Sequence, residues 1–215
     1  MSLSFAVYLE IICFAIALLC LLKVKDNIWR GMIIYLFITC VAEVAGFILK
    51  KSHHHNQWIY NISLIGEIFF NSILFGSILK PYLKARPLII GGLAIIFAVY
   101  IFDLVDHGFF VFNDLTVTVM SVIFVVYGFS YFYFLIKEEF YKDLFRDAAF
   151  WWVTGSLFYY FGSTAANLFR GFLSKIQFSG LHVSYIIPLV LSVLLYGCWI
   201  YSFICKRWLQ PGSQT

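Results

Sequence analysis

The sequence predicts an all-α membrane protein with seven transmembrane helices, and three observations lead there. Of 215 residues, 62% are hydrophobic and only 12% charged, too few charges to clothe a water-facing surface around one globular core. Seven predominantly apolar runs recur, each near the roughly 20 residues needed to cross a hydrocarbon core of about 30 Å. Lys and Arg collect in alternate connections, the pattern of a chain threaded back and forth through a bilayer.

The first run, 4–22, opens with MSLSFAVYLEIICF. It has no basic leader region, carries Glu10 and lacks a small-residue cleavage pattern, so it is expected to be a retained helix and not a signal peptide. The second run, 31–49, sets Thr39, Glu43, Gly46 and Lys50 on one helical face. The third, 58–79, does the same with Tyr60, Ser63, Glu67 and Asn71. The fourth, 87–103, is plainer, and the fifth, 114–136, leaves the membrane at the charged segment FLIKEEFYKDLFRDAAFW. In the sixth, 148–169, Ser156, Tyr160, Ser163 and Asn167 recur at i, i+4, i+7 and i+11, beside the small residues Gly155, Gly162 and Ala166 that permit close helix contact. The seventh, 183–204, carries Tyr185, Ser192 and Tyr196 beside Pro188. Lipid offers no hydrogen bonds, so these stripes are expected to face inward. The connections are short and QPGSQT is a brief polar tail, which predicts a single seven-helix domain over 1–215 without an added soluble unit.

Eleven of the fifteen basic residues fall on one side: Lys23, Lys25 and Arg30; Lys80, Lys84 and Arg86; Lys137, Lys142 and Arg146; Lys206 and Arg207. The positive-inside rule then places the N-terminus outside and the C-terminus in the cytoplasm, in a multi-pass protein of a bacterial inner (plasma) membrane. The net charge of +4 reads as this topological signal and carries no nucleic-acid footprint. Arg30 and Gly46 match Arg146 and Gly162 at one offset, which suggests a parallel 3+1+3 plan with repeats at 1–80 and 112–206 and a connector helix at 87–103. The five cysteines lie within or at the ends of apolar spans, where free Cys behaves as a small hydrophobe, so no disulfide framework is expected.

The acids pose the chemical question. At a rise of 1.5 Å per residue, Glu43 lies about 10 Å below Lys50 and Glu67 about 14 Å below Trp58, and Glu10 also sits in the outer half. An acid at that depth costs a few kcal/mol unless it is protonated, paired or bordered by water. Two readings follow. In one, Glu10, Glu43, Glu67, Asn71, Tyr160, Ser163, Asn167 and Tyr185 line a cavity open to the outside that binds a small polar or amphipathic ligand, or a cation. In the other, they are interhelical hydrogen bonds that fix the bundle. The histidines of KKSHHHNQW cannot all reach one ion from a regular backbone and read as a solvated loop, so no metal and no cofactor is expected. The seventh span has no lysine for a retinal Schiff base, and no span carries an HxxxH pair, an HExxH motif or a Ser–His–Asp pattern, which argues against enzymatic chemistry.

Three segments, WIYNISLIGEIFFNSILF, FNDLTVTVMSVIFVVYGFSYFYFLIKEE and AFWWVTGSLFYYFGSTAANLF, resemble a family of small, uncharacterised seven-helix membrane proteins of Bacteroidetes-type bacteria. The likeness rests on Tyr60, Asn61 and Glu67 in the third span and on Phe150, Trp151, Gly155, Tyr160, Phe161 and Gly162 in the sixth. Similar seven-helix regions look like the sensor inputs of bacterial histidine kinases. The resemblance implies a sensory role, here with a separate cytoplasmic signalling protein docking on the basic loops. A receptor- or sensor-like protein in the lipid bilayer, binding a small ligand, is therefore the leading expectation. A small-solute transporter is the alternative, and a lipid-modifying membrane enzyme the third.

Overall fold

The computed structural model describes residues 5–52, 56–137, 143–173, 175–178 and 181–209. Every apolar run is a helix: α1 Phe5–Leu21, α2 Asn27–Lys51, α3 Gln57–Leu79, α4 Ala85–His107, α5 Asp114–Lys137, α6 Ala148–Leu168 and α8 Val183–Ile204. A single turn, α7 Arg170–Leu173, and a two-residue antiparallel pairing of β1 Gln177–Phe178 with β2 Leu181–His182 fill the connection from α6 to α8. A π-helical turn, Cys205–Leu209, continues α8. The fold is thus all-helical apart from that small ladder. Five helices are long and apolar enough to cross a membrane: α2, α3, α4, α5 and α8 with its π-helical extension. The apolar α1 has 17 residues, and α6, with 21, is diluted by the hydroxyls, glycines and ring residues of WWVTGSLFYYFGST.

Two helix boundaries depart from the apolar runs, each for a local reason. Helix α2 begins at Asn27 and not at 31, because the Asp26 side chain accepts a hydrogen bond from the Ile28 amide at 3.1 Å and caps the first turn. Helix α4 runs past 103 to His107 and stops at Gly108, whose φ of +81° is the left-handed conformation that glycine adopts without penalty. That extra turn lets the His107 Nδ1 meet the Asp103 Oδ1 at 3.0 Å, one turn apart. The other Asp103 oxygen accepts from the amide and the hydroxyl of Thr116, each at 3.2 Å, so a carboxylate from α4 caps the start of α5.

The helices close into a ring. Each packs on the next in the order α1, α2, α3, α5, α6, α8, and α8 returns to α1; α4 lies against α3 and α5 only, among the principal contacts. Outer faces are bare aliphatic residues such as Leu19, Val105 and Ile136. With apolar lipid outside, burial alone does not drive helices together, and close packing with interhelical hydrogen bonds must do so. Between α6 and α8 both are present. The Trp152 and Trp199 rings stack at 5.8 Å with 12° between their planes, Trp199 Nε1 donates to Ser156 Oγ at 3.1 Å, and Ser202 Oγ donates to the Ala148 carbonyl at 2.7 Å.

Gly155 permits this approach: a Cβ there would stand 2.7 Å from the Cys198 Cβ and 3.2 Å from the Leu195 carbonyl. Gly155→Ala should therefore destabilise the bundle by about 1–3 kcal/mol. Gly197→Ala, where a Cβ meets nothing within 4 Å, should not. Thermal unfolding of the two variants in detergent micelles checks the contrast.

Candidate functional site

The ring encloses a polar chamber of about 260 Å³. It lies at the end of the bundle that holds the α2–α3 and α4–α5 connections. Helix α1 contributes Glu10, α2 Tyr35, Thr39 and Glu43, and α3 Tyr60, Ser63 and Glu67. Helix α5 adds Met120 and Ser121, α6 adds Tyr159, Tyr160 and Ser163, and α8 adds Tyr196 and Trp199. Phe112 reaches in from the α4–α5 connection.

That connection is held by Asn61, a fully buried residue on α3. Its amide nitrogen donates to the carbonyls of Phe109 at 3.0 Å and Val111 at 2.7 Å, and its oxygen accepts from the Asn113 amide at 3.2 Å. Tyr100 of α4 donates to the Asn61 carbonyl at 3.2 Å. One side chain thereby satisfies three loop backbone groups that would otherwise be stranded away from water.

Inside the chamber, polar groups form short chains that end on carboxyls. Asn71 Nδ2 donates to the Tyr160 hydroxyl at 2.9 Å, and that hydroxyl donates to Glu67 Oε1 at 2.8 Å, joining α3 to α6. The Tyr60 hydroxyl points at Glu43 Oε2 at a long 3.5 Å. Gly46 makes room for it, since a Cβ there would lie 2.8 Å from the Tyr60 Cζ. Asn56 Nδ2 donates to the Gly46 carbonyl at 3.2 Å and anchors the α2–α3 turn beside it. Glu10 is 5% exposed, and its buried Oε1 has no hydrogen-bond partner. Among the described residues, no Lys, Arg or His lines the chamber. Three carboxyls therefore share one cavity with no described cation opposite them, so any of them that ionises favours a positive charge in the chamber.

Beneath the chamber the ring is filled with aromatic rings. Phe75 packs against Trp152 at 4.8 Å and Phe124 at 5.6 Å, and Phe124 touches Tyr160 at 5.0 Å. Farther along, at the opposite end, Lys80, Lys84 and Arg86 rim an apolar groove between α3 and α4. Lys206 on the π-helical turn meets Asp26 at 3.3 Å and lies 5.1 Å from the centre of the Trp29 ring.

Of the residues expected in a pocket, Glu10, Glu43, Glu67, Tyr160 and Ser163 line this one. Asn71 stands behind it and acts through the Tyr160 hydroxyl. Asn167 and Tyr185 do not belong to it. Asn167 is exposed in a shallow cleft with Asp114, Thr118 and Thr164, and Tyr185 is 52% exposed. Both occupy the right helical face at the wrong depth: Asn167 is about 6 Å past Ser163 and Tyr185 about 16 Å from Tyr196 along their helices, beyond the end of the chamber. Tyr35 and Trp199 were not anticipated, although each extends a polar stripe by one turn, Tyr35 before Thr39 and Trp199 after Tyr196. Met120 and Ser121 left no periodic signal. The three consecutive histidines at 53–55 lie outside the described residues. Among the described residues, no three His, Cys, Asp or Glu side chains converge closely enough to hold one metal ion.

No protein-family model, curated protein or solved structure matches the chain.

Tyr160→Phe removes the hydroxyl between Asn71 and Glu67 and leaves two buried polar groups unpaired, for an expected loss of about 2–4 kcal/mol. Glu67→Gln keeps an acceptor for that hydroxyl and should lose less. Unfolding of the two variants in micelles, compared with the parent, measures the difference.

Proposed function

We propose that this chain is a seven-span, receptor- or sensor-like protein of a bacterial inner membrane, with its N-terminus outside, its C-terminus in the cytoplasm, and a chamber facing outward that binds a small ligand. The observation that carries the reading is the chamber itself, with Glu10, Glu43 and Glu67 drawn from three helices and no basic side chain among the described residues that line it. Ion pairs that merely brace a bundle neutralise each other, whereas these carboxyls border one cavity without a described basic partner. Intramembrane acids of that kind mark binding or ion pathways.

The asymmetry of the bundle supports sensing. The chamber end is acidic, and the opposite end carries the basic connections that face the cytoplasm in the proposed topology. Helix α8 spans both, with Tyr196 and Trp199 at the chamber and Lys206 paired to Asp26 at the far end. A ligand that shifts α8 would move that pairing, together with the surface offered to a cytoplasmic signalling partner. The sensor-like family resemblance of the third and sixth spans points the same way.

Transport is the second reading, and the position of α4 favours it. A helix that packs on α3 and α5 beside a ring of six suits a connector between two three-helix repeats. The aromatic floor of Phe75, Phe124 and Trp152 weighs against it, because transport needs a path to the other side.

Accessibility tests the outward reading. In a background without native cysteines, Ser63→Cys should react with a membrane-impermeant thiol reagent applied to the outside of cells, and not when inside-out vesicles are treated. Labelling only from the cytoplasmic side would overturn the topology. Glu43→Gln and Glu67→Gln should change ligand response while folded yield stays at the parent level; lost folding with an unchanged response would instead assign these acids to the scaffold.

A further inference from the structure

The charge and the walls of the chamber together restrict what fits. An anion would meet three carboxyls, and a neutral molecule would leave them protonated, whereas a cation compensates any that ionise. A small metal ion needs several donors at close range, and among the described residues no three His, Cys, Asp or Glu side chains come together to supply them. What suits such carboxyls is a cation with its charge spread over a broad surface. The remaining walls are aromatic: Tyr159 and Tyr160 stand edge to face at 5.4 Å, Tyr196 and Trp199 at 6.2 Å, and Tyr35 and Trp199 at 6.1 Å. Ring faces attract organic cations, most strongly when water is excluded.

We propose that the ligand is a small organic ammonium ion, a quaternary or protonated amine, held between the carboxyls of Glu10, Glu43 and Glu67 and the aromatic walls. This deepens the receptor reading and rests on it. Glu10 gives a second, independent indication. Its side chain is buried, it lines the chamber, and its Oε1 is left without a hydrogen bond. The Tyr160 hydroxyl is already committed to Glu67 and the Tyr60 hydroxyl is directed at Glu43, whereas Glu10, with Thr39, Cys40 and Tyr196 beside its carboxyl, keeps Oε1 without a hydrogen bond for the incoming cation. Weakly hydrated alkylammonium ions lose little on leaving water, and a volume of about 260 Å³ accommodates a head the size of choline. A phospholipid amine brings its phosphate with it, and that negative charge would be set against the same acids, so the free amine is the better match.

Binding to the full chain in phosphatidylglycerol nanodiscs, which contain no amine headgroup, tests this. Choline and tetramethylammonium should bind saturably and raise the unfolding temperature. 3,3-Dimethyl-1-butanol, which has the shape of choline without its charge, should bind at least about tenfold more weakly, a difference of about 1.4 kcal/mol. Glu10→Gln and, separately, Tyr159→Leu should each weaken choline by about tenfold or more; the second variant keeps every carboxyl, so the two read charge and aromatic wall apart. Equal binding of the neutral isostere, or protection by sodium ion equal to that by choline, would overturn the ammonium assignment while leaving a ligand chamber in place. Protection only when phosphatidylcholine is added to the nanodisc would assign the site to a lipid headgroup and overturn it too. Failure of every amine to bind would also overturn it, whereas the outward chamber is judged separately by labelling at Ser63→Cys, which needs no ligand.

Discussion

Every polar side chain between the ends of these helices has to find its partner within the protein, because hydrocarbon supplies none. Most of the bundle obeys that constraint by local economy. Thr154, Ser156 and Thr164 return their hydroxyl hydrogens to carbonyls one turn back on α6. Where the local solution is unavailable, helices are tied together: Asn71, Tyr160 and Glu67 join α3 to α6, and Trp199 reaches Ser156 across the α6–α8 seam. Among the chamber acids, Glu10 meets the constraint least completely, with a buried Oε1 that has no hydrogen bond.

The same constraint explains the shape. Hydrogen bonds and ring stacking act only at short range, so the α6–α8 contact depends on Gly155, and the approach of Tyr60 to α2 depends on Gly46. Small residues thus determine which helices come close, and that closeness brings the polar groups into reach of one another. The packed rings of Phe75, Phe124 and Trp152 then form the floor of the chamber.

Much of this was legible in the sequence because a helix repeats every 3.6 residues. The all-helical character and the inward direction of the polar stripes follow from that period and from hydropathy. Depth was harder to read. Tyr185 and Asn167 share a face with chamber residues but stand past its end, and periodicity gives an angle around the axis without saying where a cavity stops. Helix ends were set by single residues, Asp26 for α2 and Gly108 for α4, which override the apolar run. The role of Asn61 left no trace in spacing, since its partners are backbone groups of a connection almost fifty residues away. Met120 and Ser121 enter the chamber only because of how α5 is rotated in the ring, which is a tertiary outcome.

Asn61 also fixes the rim of the chamber. It grips the α4–α5 connection from α3, the helix that bears Glu67, while Asp103 clasps the first turn of α5. Phe112 is carried on that connection, so its place at the chamber is set by hydrogen bonds from two other helices. If the chamber binds a ligand as proposed, the path past Phe112 is tied to the packing of α3, α4 and α5 together.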